Sequence, residues 1–307
     1  MSAIRQCCGE RRWRSPFVVD LPLVLAPLRR GRGDPAYQLA EGGVPWLAAN
    51  TSEGAVTLTL RRDGEDILAR AWGPGAEWSL ERLPALLGGR DDDTGFVAHH
   101  EVVARARRRM PGLRLGACGR VWDVLLGAVL EQKVTGYEAR RSWRELCRRF
   151  GTPAPGIAPD GMYVPPSADA VRAIADWEWH RAGVDGARRR TLLAAAAVAS
   201  RLERAVTLRG TDGRALLRRV PGIGVWTAAE VAQRAWGDPD AVSVGDYHIP
   251  GVVGMALLGR ATDDEGMLDA LAPYAPQRQR VVRYLEATGF TRPRFGPRQP
   301  IRDYRMF

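Results

Sequence analysis

Apolar and polar residues alternate through Ala55–Arg62 (AVTLTLRR), and a similar run, Asp66–Gly73 (DILARAWG), follows a short Asp-Gly-Glu turn. A period of two presents one face of each run to a core, so the pair predicts a β-hairpin. Trp78–Gly89 reads as a short helix ended by glycines, and the turn-rich Gly88–Phe96 (GGRDDDTGF) marks a boundary. Beyond it the rhythm is helical. Apolar side chains at 121, 122, 125, 126, 129, 130 and 134 fall on the three- to four-residue spacing of an amphipathic helix within Val121–Gly151. Further helices are expected over Ser167–Asp176, the alanine-rich Gly186–Val206, Thr211–Arg219, Val225–Trp236, Asp264–Leu271 and Gln277–Thr288. The expected fold class is α+β: a small N-terminal antiparallel-sheet domain, then an all-α bundle. The expected divisions are a flexible basic N-terminus (1–15), the α+β domain (16–98), the helical domain (99–290) and a basic tail (291–307). No internal repeat is visible.

One interruption of the helical pattern stands out. In RRVPGIGVWTA, Leu217 and Val220 close one helix, and Val225 opens the next immediately after Pro221-Gly222-Ile223-Gly224. The two glycines allow a tight turn, Ile223 between them plugs the core, and small Ala228 lets the second helix approach the first. Such a turn leaves the first amides of the second helix pointing outward at its positive end, a ready phosphate site. An αα-hairpin that simply needs glycine is the plainer reading of the same residues.

Composition narrows the partner. The chain of 307 residues carries a formal charge of +10 and a pI near 10.1, which favours a polyanion. The basic residues are arginines apart from Lys133. Cys7, Cys8, Cys118 and Cys147 are too few for a disulfide framework and contain no C-x-x-C pair, which argues against a zinc site or an iron–sulfur cluster. The apolar stretch Phe17–Leu28 is too short to span a membrane and contains Asp20 and two prolines. A cytoplasmic, nucleoid-associated monomer without cofactor is expected.

The pattern L-x-x-V-P-G-I-G-x-W-T-A-x-x-V resembles the helix-hairpin-helix of the base-excision DNA glycosylase superfamily. Together with PGLRLGACGRVWDVLLGAVLEQKVT (Pro111–Thr135) it is most similar to bacterial 3-methyladenine DNA glycosylase II. The resemblance covers roughly residues 110–250 and weakens towards 290. It implies a helix-hairpin-helix bundle and a monofunctional enzyme of base excision repair. Such an enzyme flips a damaged, alkylated base out of double-stranded DNA and hydrolyses its N-glycosidic bond.

The resemblance also assigns roles. Asp246, in VGDYHI, falls at the essential aspartate; the plainer reading is that it only caps the following short helix. Asp238 and Asp240 suit the turn that they occupy. Gly222, Gly224, Trp226 and Thr227 are expected to contact DNA. So are Gln132 and Lys133, the latter where alkylation-repair relatives place a wedging leucine. Trp226 stands where strand-cleaving relatives carry a Schiff-base lysine. Base-pocket candidates are Trp226, Glu230 in place of a family aromatic, and Tyr284; an acidic pocket would favour bases with N–H donors or a positive charge. Glu230 on a solvated helix face is the plainer alternative. Relatives also hold a monovalent cation on hairpin carbonyls. Uracil, hypoxanthine or another lesion as substrate, a non-catalytic DNA-binding protein, and a helical interaction protein stay open at this level.

Overall fold

The computed structural model describes residues 8–290 and Asp303. Five antiparallel strands form one sheet in the order β1-β5-β4-β3-β2: β1 (Cys8–Arg14), β2 (Tyr37–Leu39), β3 (Pro45–Thr51), β4 (Gly54–Asp63) and β5 (Asp66–Trp72). The predicted hairpin is β4–β5, with Leu60 opposite Ala69 and Asp63 opposite Asp66. Residues 8–14, expected to be loosely attached, are instead the edge strand β1, which pairs with β5 along its whole length. Residues 1–7 and the basic tail lie outside the described residues except for Asp303, whose carboxylate pairs with Arg141 at 3.3 Å.

The helices are α1 (Leu21–Leu25), α2 (Ala76–Glu81), α3 (Leu83–Leu86), α4 (Glu101–Arg109), α5 (Val121–Leu130), α6 (Gly136–Phe150), α7 (Ala168–Arg172) and α8 (Asp176–Arg181). They continue with α9 (Gly186–Ala196), α10 (Ala199–Leu202), α11 (Ala205–Leu208), α12 (Gly210–Leu217), α13 (Val225–Ala235), α14 (Ile249–Val253), α15 (Asp264–Leu271) and α16 (Arg278–Ala287). The architecture is the expected α+β one. Several long runs are segmented, however. Val121–Gly151 breaks at residues 131–135, where Thr135 and Glu138 build a reciprocal capping box that starts α6 afresh. The alanine-rich run becomes α9, α10 and α11, and Trp78–Gly89 divides into α2 and α3 with Pro84 in the first turn of α3. Helix α4, unmarked by apolar rhythm, is capped with charge at both ends: Glu101 in its first turn and Arg107–Arg109 in its last.

Apolar packing gathers into two main bodies. The first joins the sheet to α5–α13, with Leu60, Leu83, Leu125, Leu126, Leu130, Leu146 and Leu192 fully enclosed. In the second, Val103 of α4 packs with Val253, Met267, Leu271, Val281 and Leu285 of the last three helices. A buried ion pair, Asp91 with Arg280 at 2.6 Å, ties the segment after α3 to α16, each side chain being 1% exposed. After α13 the chain passes from the first body to the second through residues 237–248.

Candidate active site

Helices α12 and α13 meet at the predicted hairpin, and only one of its two glycines serves the turn itself. Gly222 has φ +88°, and a Cβ there would overlap the Thr191 hydroxyl of α9. Gly224 is extended (φ −87°, ψ −172°) and has open space where its Cβ would stand. Its glycine therefore keeps the approach to the backbone clear, correcting the expectation that both glycines shape the turn. Ile223 is 4% and Ala228 1% exposed, so the plug and the close helix approach are both present. The first bond into α13 runs from the Ala228 amide to the Gly224 carbonyl at 3.0 Å. The amides of Gly222, Gly224, Val225 and Trp226 donate to no group among the described residues. They cluster at the positive end of an 11-residue helix, which is the geometry of an anion site.

Arg218 and Arg219 stand exposed just before this turn and make no ion pair among the described residues. By contrast, Arg107, Arg108 and Arg149 are committed to Asp93, Glu101 and Glu178 and serve the fold. The carbonyls of Pro221 and Ile223 accept from nothing among the described residues. No group of three metal-ligating side chains occurs among the described residues, and no helix there is long and apolar enough to cross a membrane.

Asp246 lies beside the hairpin. One oxygen, Oδ2, accepts the Trp226 indole N–H at 3.0 Å; the other, Oδ1, accepts the amides of His248 at 2.7 Å and Ile249 at 2.9 Å. The capping role and a site role are thus compatible: the same carboxylate starts α14 and reaches the hairpin helix. Its loop is pinned to α13 from below. The Gln233 amide donates to the Ala241 carbonyl and the Ser243 hydroxyl, both at 2.8 Å, and Ser243 donates to Glu230 Oε1 at 2.5 Å. Asp238 and Asp240 serve the turn, accepting from Arg214 and Trp236 and from Arg278 respectively.

Several sequence candidates are placed differently from expectation. Glu230 is neither on a solvated face nor an open pocket acid. It is 9% exposed, and its Oε2 is paired with Arg234 at 2.8 Å. Burial pushes the Glu230 carboxyl above its ordinary range, against the pull of Arg234 and the Ser243 hydroxyl, with Glu131 and Glu286 adding to the rise. Tyr284, 3% exposed, packs among the core of the second body near Phe96. Thr227 is 2% exposed, and its hydroxyl accepts the Gln132 amide at 2.8 Å, so it faces inward rather than towards a ligand. Gln132 also donates to the Gly222 carbonyl at 3.0 Å, so its amide group is engaged with the hairpin. Lys133 is exposed, at the tip of the α5–α6 turn. Tyr247 was missed: it follows Asp246, is 78% exposed and meets His248 edge-on at 4.9 Å. An aromatic residue directly after a candidate acid was the available signal. Arg234 could have been found as the i+4 partner of Glu230.

No protein-family profile matches the sequence, nor does any curated protein. Solved structures do share the fold. A 3-methyladenine DNA glycosylase from Archaeoglobus fulgidus superposes with a TM-score of 0.75 at 18% identity, covering 90% of this chain and 96% of that one. The 8-oxoguanine glycosylase/lyase of Clostridium acetobutylicum, in complex with double-stranded DNA containing cytosine opposite 8-oxoguanine, gives 0.69 at 12% identity, covering 92% and 97%. The 3-methyladenine DNA glycosylase of Schizosaccharomyces pombe, bound to abasic DNA, gives 0.51 at 18% identity, covering 62% and 93%.

Proposed function

We propose that this protein is itself a monofunctional DNA N-glycosylase that flips and excises alkylated bases from duplex DNA. The observation that carries the reading is Asp246 held by the indole of Trp226 beside four unpaired hairpin amides.

In this reading the amides grip a backbone phosphate and bring a nucleotide to Asp246. Cleavage breaks the C1′–N bond, and the electron pair leaves on the base. Positive charge develops at C1′, where a fixed carboxylate stabilises it. Water then bonds to C1′ and gives up a proton. Trp226 bonds to Asp246 and Tyr247 follows it directly in the chain, so both rings supply aromatic surface near the acid. Electron-rich rings favour cationic, alkylated bases over neutral ones. The indole at position 226 supplies no amine for an imine, which supports hydrolysis without strand cleavage.

Base release from methylated and from deaminated duplexes, with wild type and Asp246→Asn compared, tests the reading. Release from methylated DNA that disappears in the variant supports it; release that survives the substitution unchanged overturns the role of Asp246. A borohydride-trapped adduct on abasic DNA would overturn the monofunctional reading.

A further inference from the structure

Gln132 stands between two features of this site, the hairpin and the tip of the α5–α6 turn. Its single amide group donates twice, to the Gly222 carbonyl at 3.0 Å and to the Thr227 hydroxyl at 2.8 Å. Both acceptors belong to the hairpin and the first turn of α13. The next residue, Lys133, is non-glycine yet has φ +53°, a left-handed conformation held at some cost. The turn is fixed from within as well. Arg188, 3% exposed, donates to the Leu130 carbonyl at the end of α5, and Thr135 with Glu138 caps α6 immediately after it. The same α9 that supplies Arg188 places Thr191 against Gly222. Lys133 is thus the exposed tip of a turn that Gln132 fastens to the hairpin and that Arg30, through Glu131, and Arg188, through the Leu130 carbonyl, hold from the other side.

We propose that Gln132 is a positioning residue that couples the two contacts. It locks the Lys133 turn to the hairpin, so that gripping the backbone and filling the gap left by an extruded nucleotide occur as one event. This rests on the reading of the hairpin and turn as a DNA-binding face. Lys133 supplies a cation to a gap bordered by phosphates, and Gln132 fixes where that cation enters. Without the link the hairpin amides still bind an intact backbone, but the turn no longer follows them.

The test uses the full chain and two duplexes of one sequence, undamaged and carrying a tetrahydrofuran abasic analogue. Wild type should prefer the abasic analogue. Gln132→Ala should lose roughly tenfold of the abasic preference, taken as the ratio of its affinities for the two duplexes. Gln132→Glu, which keeps the size but cannot donate to the Gly222 carbonyl, should lose as much, and both variants should melt near the wild-type temperature. Lys133→Ala should cost preference in the wild-type background and add little to Gln132→Ala, because coupled residues are not additive. Additive losses, an undiminished preference in Gln132→Ala, or a wild type indifferent to the abasic site each overturn the coupling. Absence of base release from any damaged duplex by a wild type that still shows the coupled preference overturns the glycosylase reading alone.

Discussion

The indole N–H of Trp226 and the carboxylate of Asp246 meet at 3.0 Å across twenty residues of chain, joining the first turn of α13 to the loop before α14. Asp246→Asn keeps the size of the side chain but removes the charge that would face C1′, and its NH2 group no longer accepts from one of the two donor sets, the indole or the His248 and Ile249 amides. Base release should fall at least about a hundredfold, the scale for removing one preorganised electrostatic partner. Affinity for abasic-analogue duplex should stay within a fewfold, and single-turnover kinetics beside a binding titration separate the two.

The hairpin glycines should fail in different ways. Gly222→Ala must hold a left-handed φ and displace Thr191, so a loss of about 1–3 kcal/mol in unfolding free energy is expected. Gly224→Ala meets open space and should cost about 0.5 kcal/mol or less. Its methyl group nevertheless stands where a phosphate would approach the amides, so DNA affinity should drop while denaturant midpoints hardly move. Equal stability losses in the two variants would contradict this assignment.

Asp91 receives Arg280, Arg114 and the Leu115 amide in the interior. Replacing Arg280 with Met leaves the buried carboxylate only Arg114, 3.5 Å away, and the Leu115 amide, and should cost about 3 kcal/mol. Urea unfolding measures it, and a change under about 1 kcal/mol would show that the site relaxes to admit water.

Glu203 caps α5 from outside, accepting the amides of Val121 and Trp122 at 2.9 and 2.8 Å. Burial nevertheless pushes its carboxyl above the ordinary range. A carboxyl whose pKa is higher in the folded chain contributes stability that is complete below its unfolded value and lost as pH rises through the folded one. Glu203→Gln has no such loss. Its melting-temperature deficit against wild type should therefore shrink between pH 4 and pH 7. A deficit that widens over that range reverses the sign and the assignment.

Elements with one dominant period were legible in the sequence: the β4–β5 hairpin, α13, α15 and α16. Strand β1 was not, because its CGERRWR run is too polar to signal a face, and it is fixed by pairing with β5 and by Arg11 on the α2 carbonyls. The hairpin and Asp246 were legible from local spacing and resemblance. The surroundings were not, since Glu230 with Arg234 and Ser243, or Gln132 with Thr227, become partners only through tertiary packing. Glu230 shows the difference most clearly. Its position on α13 announces an acid one turn from Trp226, but its burial and its hydrogen bond from Ser243 depend on a loop that returns to α13.

The two apolar bodies divide the labour of this site unequally. The hairpin belongs, through Val220, Ile223 and Ala228, to the body that contains the sheet, whereas the residues flanking Asp246, Val244 and Ile249, pack into the body built from α4 and the last three helices. A natural seam therefore passes between the part that would hold DNA and the part that would act on it. Along that seam, sequence divergence or deliberate grafting could exchange one half while the other kept its own core, provided that the indole and the carboxylate still met.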